Sequence, residues 1–178
     1  MLERITSSLA SVAKEHTRRK REEDKLKYGC VIRALESVTG VLATEEEWDA
    51  RLEQRKEALQ QLKYNLAGGE NEDVDIDTLE NENLGRLITE FRHHETPMGQ
   101  ALKGFRVKYL HLSQAEVLTH LSQGDSLILL GQDEGRGHAL HVVLDPNGQL
   151  ISQSDAPHQT VTVRNRAYGY VFSKKRHP

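Results

Sequence analysis

The sequence predicts an α+β fold in which helices from the first half pack on an antiparallel sheet built from the second. Three observations carry that expectation. Up to about residue 91 the apolar residues recur at three- and four-residue intervals, as on helix faces. From Phe105 onward they alternate with polar residues or fall in short apolar runs, as in strands. Between two of those runs stands Asp145-Pro146-Asn147-Gly148, with each residue in the position a type I turn favours.

The elements follow in order. In residues 1–27, Leu2, Ile5, Leu9 and Val12 form the narrow apolar stripe of an amphipathic helix, followed by the basic run Arg18-Arg19-Lys20-Arg21. This appendage precedes a domain over 28–178. It suits contact with a membrane surface, a partner or a secretion apparatus, or simply packing as a terminal helix. A second helix is expected from Cys30, with Val31, Ile32, Ala34, Leu35 and Val38 on its apolar face and Gly40 just past its end. Thr44 and Glu47 form a capping box for a long helix through Trp48, Leu52, Leu59 and Leu66, stopped by Gly68-Gly69. Residues 70–83 hold seven acids and no Lys or Arg. Asp73, Asp75 and Asp77 lack the Gly and distal Glu of an EF-hand, so a solvated loop entering a helix near Thr78 is expected. Leu84, Leu87, Ile88 and Phe91 form the buried side of that helix.

Thr96-Pro97 reads as an N-cap and first helical position of a short helix ending near Gly104. Phe105, Val107 and Tyr109 form a half-buried strand, residues 113–121 a helix opening on Ser-x-x-Glu, and residues 127–130 an apolar strand. Residues 138–144 and 149–155 form the arms of the hairpin, and strands over 160–163 and 168–172 complete the sheet.

Composition bounds the function. The chain has 178 residues, enough for one domain with a short appendage, and 37% of them are apolar. Its 24 Lys and Arg against 27 Asp and Glu give no surplus of cations, so no nucleic-acid partner is expected. No run approaches the ~18 apolar residues of a membrane span, so stable membrane insertion is not expected. No apolar signal-peptide core is visible, which implies synthesis in the cytoplasm. The single cysteine excludes an internal disulfide framework and any zinc site with several thiolates. No phosphate-binding glycine loop, dinucleotide fingerprint or G-x-S-x-G string occurs, so neither cofactor nor metal is expected.

Cys30 is the candidate nucleophile. It follows Gly29 at a predicted helix start, where the positive end of the helix dipole favours a thiolate and a glycine permits close approach of a carbonyl. A thiol nucleophile needs a base, and the base a partner that orients it. His138 and His141 stand on a predicted strand. With a two-residue loop, facing residues of the hairpin sum to 293, and His138 faces Asp155. A three-residue loop with a bulge at Gly148 raises the sum to 294 and moves Asp155 one place along. In both registers an acid lies beside His138 and none beside His141, so His138 is the expected base and Asp155 its carboxylate.

Cysteine at a helix start, about a hundred residues, then histidine and an acid on adjacent antiparallel strands resembles the papain-like order of elements. Tyr28-Gly29-Cys30, Gly137-His138-Ala139 and Ser154-Asp155 look like its divergent bacterial branch: leader-cleaving peptidases, and effector proteases or glutamine deamidases delivered into host cells. The resemblance covers residues 28–172. It implies a cysteine protease acting on a protein or peptide, with Cys30, His138 and Asp155 as its triad, and export by a route that needs no signal peptide. The alternatives are a deamidase or transglutaminase using the same triad, and an interaction module that keeps the scaffold without catalysis. Members of this branch often carry a glutamine shortly before the cysteine as an oxyanion donor, and residues 22–28 contain none. One missing donor costs about 10²–10³ in rate.

Overall fold

The computed structural model describes the backbone of residues 2–67, 76–133, 136–155 and 157–176, and the side chains of residues 8–64, 84–130, 139–155 and 157–176. Helix α1 (Leu2–Tyr28) runs to the start of α2 (Cys30–Thr39), with only Gly29 between them. The apolar stripe of α1 remains in solvent at Leu9 and Val12, each about two-thirds exposed. Its C-terminal turns are tied down instead: Arg21 pairs with Asp49, and the Lys25 ammonium lies 3.2 Å from Glu45 and over the Trp48 ring. Gly40 ends α2 in the left-handed region (φ 72°), which spares the strain a side chain would incur there. Val31, Ile32 and Leu35 are buried. Each contributes roughly 1.5–3 kcal/mol by leaving water.

The Thr44–Glu47 box opens α3 (Glu45–Ala67): the Glu47 N–H donates to Thr44 Oγ1, and the Thr44 N–H donates to Glu47 Oε1. Helix α4 (Ile76–Phe91) begins two residues before Thr78. The acidic segment through Asp73 and Asp75 lies outside the described residues. Thr96 caps α5 (Pro97–Lys103) by accepting from the Gly99 N–H, 3.1 Å away. Strand β1 (Phe105–Ser113) leads into α6 (Gln114–Ser122), whose Ser113–Glu116 capping box is complete.

Strands β2 (Ser126–Asp133), β3 (Arg136–Leu144), β4 (Leu150–Ser152) and β5 (Arg166–Lys174) complete an antiparallel sheet in the order β1-β5-β2-β3-β4. The fold is therefore α+β. Alternation along the strands divides the core in two. Ala139, Ile128, Tyr170 and Phe172 pack with α2, α4 and α5, while Leu129, Val142 and Val171 pack with Val117 of α6. No helix among the described residues is long and apolar enough to cross a membrane.

Two expectations need correction. The β3–β4 hairpin takes the 294 register, with Val142 opposite Ser152 and a left-handed Gly148, but its ladder ends at Ser152 instead of reaching Asp155. The cause is local. Ser154 Oγ takes the His141 N–H, Ser152 Oγ donates to the Asp155 carbonyl, and the His158 N–H returns to the Ser152 carbonyl. These bonds curl the chain away from β3, so Asp155 stands in a bend rather than opposite His138. The strand expected over 160–163 is likewise reduced to one bridge, Ile151 to Thr160.

Candidate active site

Cys30 is the first residue of α2 and is only 7% exposed. The first bond of the α2 ladder runs from the Arg33 N–H to the Gly29 carbonyl, so the amides of Cys30, Val31 and Ile32 precede it. Gly29 has an ordinary backbone conformation (φ −93°, ψ 4°), so it is not needed for a left-handed turn. What requires glycine is space. A Cβ there would lie 2.2 Å from the Lys25 carbonyl oxygen and 2.6 Å from both the Arg33 guanidinium and the Trp48 ring. The close approach anticipated for a substrate is made by the protein itself.

Two cations interact electrostatically with the thiol. Arg51 is fully buried, and burial pushes its pKa down to about 10, against which a negative charge on Cys30 acts. Arg33 is held above its ordinary value by its hydrogen bonds with Asp155, with burial opposing; charge on Asp155 and on Cys30 adds to the effect. That pair is two-pronged. Arg33 Nε and Nη2 donate to separate oxygens of the Asp155 carboxylate, the second at 2.8 Å. A third bond, from Arg33 Nη1 to the Lys25 carbonyl (2.7 Å), anchors the guanidinium at the end of α1. Asp155 thus reaches a side chain one helical turn from Cys30, in a fork geometry that suits Arg and carboxylate.

The histidines part company. His138 lies in β3 with its backbone paired to Gly131, and its side chain lies outside the described residues. His141 is buried (6% exposed), and its Nδ1 shares a hydrogen bond of 2.7 Å with Ser37 Oγ. Burial pushes the His141 pKa down to about 4, so the ring is neutral at pH 7. Cys30, Ala34 and Ser37 fall on one face of α2, but seven residues separate Cys30 from Ser37, about 10 Å of helix rise. His141 therefore sits beside the far end of the helix. No hydrogen bond to the Cys30 sulfur is present among the described residues.

Sequence reasoning missed Arg33, Ser37 and Arg51. Helical spacing from Cys30 flags Ser37 as a polar residue on its face, and Arg33 stands out within an apolar run. The only long-range signal for Arg51 would have been a charged residue at the buried spacing of α3. A groove of about 760 Å³ between α1 and α3 passes Tyr28, Asp49 and Arg55 but is not lined by Cys30. Among the described residues no group of three metal-ligating side chains converges.

Comparison with protein-family models, with curated proteins and with solved structures returns no match.

Proposed function

We propose that this chain is a cysteine hydrolase of papain-like type that cleaves a peptide bond, with Cys30 as nucleophile and a histidine as its base. One observation supports this reading above the others: the lone thiol begins a helix, and charge on its sulfur acts on two guanidinia, Arg33 and Arg51. A cysteine kept only for packing gains nothing from buried cations, whereas a thiolate is stabilised by them. Attack by the sulfur on a carbonyl forms a thioester and releases the amine, which takes its proton from the imidazole. Water then hydrolyses the thioester and restores the thiol. Asp155 acts through Arg33, as a residue that positions the start of α2.

The test uses a proteome-derived peptide library, read by mass spectrometry. New termini that vanish in Cys30→Ala and in either His138→Ala or His141→Ala support the proposal, and the histidine variant that loses them identifies the base. Gains of about one dalton on glutamine without new termini transfer the same nucleophile and base to deamidation. A library left unchanged by the wild-type protein overturns both readings and leaves a non-catalytic scaffold.

A further inference from the structure

The near-neutral total charge conceals a strong division. Residues 97–113 and 156–178 carry eight Lys or Arg and no Asp or Glu, leaving 16 basic against 27 acidic residues elsewhere, a net of −11. Folding brings the two basic segments together, because β1 and β5 pair residue by residue from Phe105–Lys174 to Ser113–Arg166. The sequence separates these strands by more than fifty residues, so the concentration of charge exists only in the fold.

At the end where β1 begins, Lys103, Arg106, Lys108, Lys174, Lys175 and Arg176 are all exposed, and among the described residues none has a carboxylate within ion-pair distance. The Lys175 N–H donates to the Gly104 carbonyl, which holds these basic turns side by side. Further along the same two strands, exposed aromatic rings stand in a stack. His111 lies on Tyr168 with ring centres 4.3 Å apart and planes 16° apart, and Tyr109 stacks on Tyr168 at 5.3 Å and 8°. Tyr109 and Tyr168 are each 45% exposed. Strand β1 is the edge of the sheet, so Tyr109 and His111 on one face and Arg106 and Lys108 on the other meet along one border.

An edge strand that carries cations with no carboxylate partner among the described residues, together with half-exposed aromatic rings, is a combination that binds single-stranded nucleic acid, where phosphates meet the charges and bases stack on the rings. A membrane surface would use the cations but gives no reason for rings stacked in parallel. A duplex keeps its bases stacked on one another and leaves the rings without a ligand. We propose that the β1–β5 border is a binding surface for single-stranded nucleic acid, separate from Cys30 and its helix.

The experiment is fluorescence anisotropy with labelled oligothymidylate and oligouridylate of about 15 nucleotides, matching the reach of such surfaces. Binding to either probe is expected at 50 mM salt, weakening about 50-fold by 200 mM, the loss that four phosphate contacts on a single strand produce. Arg106→Glu with Lys108→Glu should weaken binding tenfold or more, and Lys174→Glu with Lys175→Glu serves as a second reversal remote from the core. Tyr168→Ala should cost about fivefold or more, while Tyr168→Phe, which keeps the ring, should bind as the wild type does. No binding to either probe at 50 mM salt overturns the proposal. So does binding unchanged by Tyr168→Ala, equal affinity for a duplex of the same length, or binding only to phosphatidylserine vesicles or to a second copy of the chain.

Discussion

The two ends of α2 are built on opposite electrostatic principles. At Cys30 the helix opens among ions: Arg33 and Arg51 interact electrostatically with the thiol, and Arg33 is clamped by Asp155 from across the fold. Two turns further on, Ser37 meets His141 in a pocket that keeps the imidazole neutral. Cys30 and His141 are both buried, so burial alone does not set the surroundings of each; the available counter-charge does. The first end holds ionic side chains beside a thiol. The second satisfies a buried polar side chain with a single hydrogen bond.

Gly29→Ala should break the comparison most severely. The added methyl collides with the Lys25 carbonyl, Arg33 and Trp48, and the expected cost is about 3 kcal/mol in urea unfolding, near the upper end for overpacking. The Ser37 end should be spared, so the Ser37 amide should lose less hydrogen-exchange protection than the Arg33 amide, whose bond ends on the Gly29 carbonyl.

Acid sharpens the contrast next. In the unfolded chain His141 takes up its proton near pH 6.5, but in the fold only near 4, so between these values the unfolded state binds more protons. This contribution to stability is complete above about pH 6.5 and is lost as the pH falls toward 4. It amounts to roughly 2–3 kcal/mol, and His141→Asn should show a correspondingly shallower decline of stability over that window.

Asp155→Asn removes the charge that clamps Arg33. The expected loss is about 1–2 kcal/mol of stability, together with a fall in any Cys30-dependent turnover as Arg33 is released. Equal turnover in this variant removes Asp155 from the mechanism. Smallest of all, Ser37→Ala should cost about 1 kcal/mol, the value of one neutral hydrogen bond, with turnover nearly unaffected.

The local parts of this architecture were legible in the sequence because their causes are local. Gly40, the Thr44–Glu47 box, Thr96-Pro97 and the Ser113–Glu116 box each satisfy backbone groups within a few residues, and each marks a helix end where expected. Asp145 likewise builds its turn with its own neighbours: the Asn147 and Gln149 N–H groups donate to its carboxylate. The placement of Asp155 was not legible. Pairing arithmetic extends a ladder until something stops it, and what stops this one is the Ser154 side chain and the chain returning through Gln159 to Val161. Arg33 and Asp155 are separated by 122 positions, and no periodicity links them. The insertion of β5 between β1 and β2 is equally non-local, and with it the gathering of basic residues on one border.

The proposed role of Cys30 as nucleophile requires a thiol that reacts although it is buried in the core at the start of α2. The most direct measurement is the rate of its alkylation by iodoacetamide at pH 6.5, in the folded protein and in the same protein unfolded in urea. Faster alkylation is expected in the fold, where Arg33 and Arg51 interact electrostatically with the thiol, with loss of that advantage when either is replaced by Gln. A folded thiol that reacts more slowly than the unfolded one contradicts that role.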